Sequence, residues 1–129
     1  MARILVVEDD KPLGEVLGHA LADHGFRYEH AANGRVGLEK MCEATAARDP
    51  FDCVLLDIIM PEVDGWQFLQ AVKSNPLWVR TRVVILTGYA ASDADIARAS
   101  AYDCVHVTKK GRFVEAVGEM VERMLSPVP

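Results

Sequence analysis

The stretch FDCVLLDIIMPEVDG, residues 51–65, predicts a buried strand that stops at an acidic residue and then turns. The residues from Cys53 to Leu56 are all apolar, which is typical of a strand covered on both faces. Asp57 follows directly, although a carboxylate is costly to remove from water. The end of this strand is therefore the first place to look for a functional group.

Short apolar runs alternate with longer segments of helical period along the rest of the chain. Helical spacing, turn pairs and a capping box of Ser92 with Asp95 mark the helices. Consecutive strand–helix units imply parallel strands joined by right-handed crossovers. The predicted fold class is α/β, a five-stranded parallel doubly wound sheet with helices on both faces. The predicted strands are Ile4–Val7, Phe26–Ala31, Cys53–Leu56, Val83–Leu86 and Cys104–Val107.

Composition excludes several functional classes. The chain has 129 residues, half of them hydrophobic, which suits one domain with a real core. A formal net charge of −5 argues against direct nucleic-acid binding, because phosphates require a basic surface. The sequence shows neither a signal peptide nor an apolar run of about 20 residues that could cross a membrane. Three cysteines without CxxC spacing favour reduced thiols, so we expect a cytoplasmic protein.

Polar side chains follow four of the predicted strands. Because the carboxyl ends of parallel strands share one edge, where doubly wound sheets bind ligands, we expect these side chains to meet there. Clustered carboxylates repel one another unless a cation joins them. Oxygen ligands without His or Cys favour Mg²⁺, with Mn²⁺ as an alternative. The residues concerned are Glu8, Asp9, Asp10, Asp57, Thr87 and Lys109.

Two of these residues keep a second interpretation. Asp10 precedes Lys11 and Pro12, where an acid is also expected at a helix N-terminus. Lys109 can form an ordinary ion pair with Asp57, and an ammonium at that place can also stabilise charge on a transferred phosphoryl group.

Four stretches resemble the response-regulator receiver domains of two-component signalling. They are ILVVEDD (4–10), LLDIIMPEVDG (55–65), VVILTGYA (83–90) and VTKK (107–110), in the family's order and spacing. The resemblance spans nearly the whole chain and implies a flavodoxin-like sheet of strand order 2-1-3-4-5. It implies a receiver domain over residues 1–125 and a tail or linker stub over 126–129. It also implies a phosphoprotein that catalyses only its own phosphorylation and dephosphorylation.

The resemblance implies roles for the acidic residues. Asp57 would accept a phosphoryl group from the phosphohistidine of a sensor histidine kinase or a histidine phosphotransfer protein. Asp9 and Asp57 would bind Mg²⁺ directly, and Glu8 would assist through water. The backbone carbonyl of Ile59 would complete the protein ligands.

It also implies a way to pass the signal on. Thr87 and Lys109 would bind phosphoryl oxygens, and Thr87 would shift on activation. That shift would change the face formed by helix 4, strand 5 and helix 5, through which family members bind partners or form homodimers.

Three features depart from the family pattern. His106 replaces the usual Phe or Tyr and is either a buried neutral imidazole or a switch with added pH sensitivity. Lys110 replaces the usual proline, so we predict a trans Lys109–Lys110 peptide bond. Bulky Ile59 and Tyr89 occupy the two variable positions that influence how fast water reaches the aspartyl phosphate, and they predict slow self-dephosphorylation.

Two other functions share features with this sequence. An aspartyl-phosphate phosphatase of the haloacid-dehalogenase type has an acid two residues beyond its nucleophile, and Ile59 stands there, which argues strongly against this class. A receiver-fold interaction module that acts without phosphorylation is the remaining alternative, and His106 and Lys110 leave it open.

Overall fold

The computed structural model describes residues 2–58, 65–88, 92–102 and 104–126. Within these ranges five strands alternate with five helices, which confirms the predicted order of elements. The strands are β1 (Arg3–Val7), β2 (Arg27–Ala31), β3 (Cys53–Asp57), β4 (Arg82–Thr87) and β5 (Val105–Thr108). The helices are α1 (Lys11–Asp23), α2 (Gly34–Ala46), α3 (Gly65–Ser74), α4 (Asp93–Ala101) and α5 (Phe113–Leu125).

The strands form one parallel sheet in the order β2-β1-β3-β4-β5, which confirms the predicted flavodoxin-like topology. Val7 pairs with Leu56, and Asp57 pairs with Leu86. This register brings the ends of β1, β3 and β4 to one edge of the sheet. The chain winds outward from β1 to β2 and then returns to β3, so strand order reverses between β1 and β3, where such sheets bind ligands.

Apolar layers cover both faces of the sheet. The layer that includes Leu56, Phe68 and Ile85 lies on one face, and the layer that includes Leu55 and Val121 lies on the other. All five residues of β3 are buried; the apolar run predicts this for Cys53–Leu56, and Asp57 is buried as well. The buried centre of the sheet therefore holds the residues at its strand ends in fixed positions. In the part of the chain that the structure describes, no helix has the length and apolar character needed to cross a membrane.

The helix starts follow local signals in the sequence. Asp10 caps α1, and its Oδ1 accepts a hydrogen bond from the backbone N–H of Leu13 at 3.1 Å. Ser92 and Asp95 form the predicted capping box at the start of α4. The capping interpretation of Asp10 therefore applies, and it separates this acid from Glu8 and Asp9.

Candidate functional site

Three carboxyl groups meet at the carboxyl edge of the sheet. Glu8 and Asp9 follow β1, and Asp57 ends β3. One oxygen from each of them lies within 4.8 Å of the others. The strand-end argument thus brings together acids that are separated by about 50 residues in sequence.

Glu8 is the most buried member of this cluster. Its side chain is fully inaccessible to solvent, and its Oε1 accepts a hydrogen bond from Lys109 Nζ at 2.6 Å. Its Oε2 is buried and has no hydrogen-bond partner among the residues that the structure describes. A buried carboxylate oxygen without a partner is costly, so this atom needs a proton or a cation.

Lys109 connects the two most buried acids. Its Nζ also lies 3.3 Å from Asp57 Oδ2, so the predicted pairing with Asp57 is present alongside the shorter contact with Glu8. Asp57 is only 6% exposed, and Asp9 is exposed. The site is therefore closed by Lys109 on one side and open to solvent at Asp9.

Burial and mutual repulsion set the protonation of the acids. Burial, followed by the neighbouring carboxyl of Asp57, raises the pKa of Glu8 to about 8, although Lys109 opposes the shift. Burial and Asp57 also raise the pKa of Asp9. Burial disfavours the charge on Lys109, but the hydrogen bond that Lys109 donates to Glu8 and the charge of Asp57 outweigh it and raise the pKa of Lys109. Burial and the neighbouring carboxyl therefore favour the protonated form of Glu8 until more positive charge arrives.

The backbone of Glu8 is held by β2. Its N–H donates to the carbonyl of Ala31 at 3.0 Å, and its own carbonyl accepts a hydrogen bond from His30 Nε2 at 2.7 Å. The His30 ring lies where a Cβ on Gly14 would come within 2.4 Å of it. Sequence reasoning missed His30. The sequence feature that points to it is Gly14, because a side chain at that position of α1 would collide with the His30 ring on β2.

Thr87 is tied to β5. Its side chain is almost fully buried, and its Oγ1 donates to the carbonyl of Val107 at 3.4 Å. The backbone N–H of Lys109 donates to the Thr87 carbonyl at 2.7 Å. The Lys109–Lys110 bond is trans, as predicted, because the described residues contain no cis peptide bond.

The remaining predicted positions add little to the description of the site. His106 lies on β5 and is half-buried, and its roles as a buried neutral imidazole or as a switch stay predictions. Ile59 and Tyr89 lie outside the described residues. The three cysteines form no disulfide with one another among the described residues, although Cys42 is exposed.

Comparison with known proteins places this geometry in one family. A profile of the response regulator receiver domain matches residues 4–117. The response regulator receiver protein CpdR of Brucella abortus is 32% identical over 129 residues, which cover 97% of this chain and 98% of that protein. The transcriptional regulatory protein PcoR of Escherichia coli is 35% identical over 75 residues, and the match spans 31% of its length.

Solved structures agree on the fold. The chemotaxis protein CheY4 of Vibrio cholerae has a TM-score of 0.79 at 28% identity, and the match covers 97% of this chain and 99% of that one. The phosphorylated cyanobacterial phytochrome response regulator RcpA has a TM-score of 0.86 at 24% identity, which is evidence for the fold alone. Together with the family match, these similarities lead to one conclusion: the chain belongs to the response regulator receiver domain family, a signalling module of two-component systems.

Proposed function

We propose that Asp57 accepts a phosphoryl group and that this modification is the signal the domain transmits. The observation that carries the proposal is the placement of Asp57 at the end of a fully buried strand, beside Lys109 and two further acids. A receiver that accepts a phosphoryl group needs an acidic nucleophile together with cations that neutralise the incoming oxygens. The described residues supply the nucleophile and one of those cations.

The transfer is a displacement at phosphorus. A carboxylate oxygen of Asp57 forms the new P–O bond while the P–N bond to the donor's phosphohistidine breaks, and the imidazole leaves with the electron pair. The Lys109 ammonium, 3.3 Å from Asp57, lies where it can neutralise a phosphoryl oxygen. An added Cβ on Gly88, which follows Thr87, would meet no atom of the described residues within 4 Å apart from its chain neighbours, so this turn leaves room for a phosphoryl oxygen.

The acidic cluster fits a divalent cation. All its ligand atoms are oxygens, and the buried Oε2 of Glu8, which has no hydrogen-bond partner among the described residues, supports a nearby cation. Asp9 and Asp57 would hold Mg²⁺, or Mn²⁺, directly, Glu8 would do so through water, and the Ile59 carbonyl would complete the set. When bound, the ion supplies positive charge to the phosphoryl oxygens during transfer.

Thr87 then links the modified site to β5 and α4. Its hydroxyl donates to Val107 before phosphorylation and would turn toward a phosphoryl oxygen afterwards. Breaking that bond changes the support of β5, which carries His106 and packs against α4. The face of α4, β5 and α5 would then bind a partner or a second copy of the chain.

Ile59 and Tyr89 would set the lifetime of the signal. Ile59 has no polar group that could orient a water molecule, and both side chains are bulky. We therefore expect slow self-dephosphorylation, and a phosphoryl lifetime of only seconds would contradict this.

The donor would be a sensor histidine kinase or a histidine phosphotransfer protein, without direct contact with nucleic acid or membrane. Phosphotransfer requires donor and acceptor in one compartment, so we infer a cytoplasmic location. Residues 1–125 would form the receiver and 126–129 a tail or linker. Beyond its own phosphorylation and dephosphorylation, the domain would have no enzymatic activity.

Acetyl phosphate with Mg²⁺ tests the proposal. Intact-mass spectrometry should show the gain of one phosphoryl group in the wild type and no gain in Asp57→Asn. Asp10→Asn is the matched control, because the amide keeps the cap of α1, and it should be modified like the wild type. Modification of Asp57→Asn would refute the assignment. A wild type that gains no phosphoryl group and binds no Mg²⁺ would instead favour the phosphorylation-independent module.

A further inference from the structure

Two neighbouring depressions lie at the amino ends of β4 and β5. Their volumes are about 440 Å³ and 490 Å³, and the segment from Arg80 to Arg82 lines both of them. We call them together the amino-end surface. Since β4 runs from Arg82 to Thr87, this surface lies roughly 17 Å from the acidic cluster. It is therefore separate from the site described above.

Aliphatic side chains are concentrated on the amino-end surface. Four large hydrophobic side chains are exposed among the described residues, and three of them lie here: Leu77 at 73%, Val79 at 56% and Val105 at 42%. The fourth, Val16, lies on α1. Exposed apolar side chains that gather in one place indicate an interaction site, whereas scattered ones do not.

Basic side chains lie among these aliphatic ones. Lys73, Arg80 and Arg82 line the depressions, and none of them forms an ion pair with a residue that the structure describes. Asp52 is the one carboxylate among the described residues of the lining, and its Oδ2 already accepts a hydrogen bond from the Arg3 backbone. The surface is thus locally positive in a chain of net charge −5.

The basic and aliphatic side chains of the amino-end surface together favour one kind of ligand. Unpaired cations favour an anionic ligand, and the aliphatic side chains beside them favour a ligand with its own apolar groups. A nucleic acid fits less well, because aliphatic side chains offer no ring on which bases can stack and the rest of the chain repels phosphates. A peptide with acidic and aliphatic residues matches both features.

We propose that the amino-end surface binds a segment of a partner protein that carries Asp or Glu next to aliphatic side chains. The surface shares no residue with the acidic cluster, although Val105 lies on β5. It gives the domain a second contact, distinct from the phosphorylation site.

Selection of random dodecapeptides against the intact chain tests this proposal without a bias toward one sequence. The enriched peptides should contain both acidic and aliphatic residues, and their affinity is then measured by fluorescence polarisation. Arg80→Glu with Arg82→Glu should weaken binding at least about tenfold. Leu77→Ser with Val79→Ser should weaken it at least about fivefold, since these exposed side chains supply the apolar contact.

Matched variants separate this surface from general charge effects. Lys110→Glu with Arg112→Glu makes the same charge change at the opposite end of the sheet and should leave the affinity within about twofold. Asp57→Asn should also bind normally, which distinguishes this proposal from that of the phosphoacceptor.

Three results would overturn the proposal. They are the absence of enriched peptides, enriched peptides that bind the Arg80/Arg82 double variant as well as the wild type, and a single-stranded DNA dodecamer that binds as tightly as the peptides.

Discussion

The centre of the sheet and its β5 edge are built differently. Every residue of β3 is buried, whereas in β5 Val105 is exposed and the other three residues are only half-buried. Helix α4, which packs on this edge, buries Ala99 alone. The acids are therefore fixed by the best-packed part of the molecule, while the response is expected in the least-packed part.

This difference has a physical basis. Elements with little buried apolar surface open or shift at low cost in free energy, and central strands open only with global unfolding. Thr87 lies at the boundary, since it ends β4 and hydrogen-bonds to β5. A change at Asp57 can therefore move the edge without loosening the strands that hold the acids.

The largest expected difference in stability is between substitutions of two valines that are paired in the sheet. Val84 in β4 and Val105 in β5 are neighbours in the sheet register, yet Val84 is fully buried and Val105 is 42% exposed. Val84→Ala should lower the free energy of unfolding by about 2–3 kcal/mol through lost burial and a cavity. Val105→Ala should change it by less than about 0.5 kcal/mol. Urea unfolding measures both, and equal effects would show that centre and edge are equally well packed.

The sequence predicts strands and helix starts better than it predicts side-chain contacts between residues that are far apart in the chain. The apolar run before Asp57 predicts β3, and Ser92 with Asp95 predicts the start of α4, because both signals are local. The contact of Lys109 with Glu8 joins residues 101 positions apart, and no local pattern reveals that it is shorter than the contact with Asp57.

Two other contacts show the same limit. His30 under Gly14, and Arg98 over Trp66, depend on how whole helices pack on the sheet. The acidic cluster itself was within reach of sequence reasoning, because parallel strands end at one edge. The sequence does not reveal which carboxylate oxygen of the cluster is buried without a hydrogen-bond partner among the described residues.

A second prediction concerns how the buried acid Glu8 makes the free energy of unfolding depend on pH. The pKa of Glu8 is raised from 4.5 to about 8, so the folded chain binds this proton more tightly than the unfolded chain. Without Mg²⁺, the free energy of unfolding should therefore be highest near pH 4.5 and fall toward pH 8. The raised pKa of Lys109 adds no slope here, because it titrates at higher pH.

Urea unfolding across this pH range checks the effect. Glu8→Gln should remove most of the slope and leave the part that the raised pKa of Asp9 contributes, saturating Mg²⁺ should flatten it, and Asp10→Asn should keep it because Asp10 caps α1. If the whole slope survives in Glu8→Gln, another group causes it.

A third prediction tests the link between centre and edge. The Arg98 guanidinium of α4 lies 4.4 Å from the ring centroid of Trp66, at the start of α3. Arg98→Met keeps the length of the side chain but removes the cation, and should cost about 0.5–1 kcal/mol. Amide hydrogen exchange in α4 should become faster, while exchange in β3 stays unchanged.

Arg123→Met is the matched control. This arginine lies in the exposed last turn of α5 and pairs with none of the described residues, so exchange in α4 should not change. Faster exchange in both α4 and β3 of Arg98→Met would mean that the edge is not an independent unit.

The smallest expected effect concerns His106. This residue is half-buried and adjoins Val107, whose carbonyl holds the Thr87 hydroxyl, so a change in that hydrogen bond should alter the ring's surroundings. Its NMR ring signals should shift when Mg²⁺ and beryllium fluoride, a phosphoryl mimic, are added, while those of His19 on α1 stay in place. His106→Phe should change stability by less than about 0.5 kcal/mol, because edge positions bear little packing energy. An unmoved His106 signal in a protein that binds the mimic would show that the edge responds through α4 without β5.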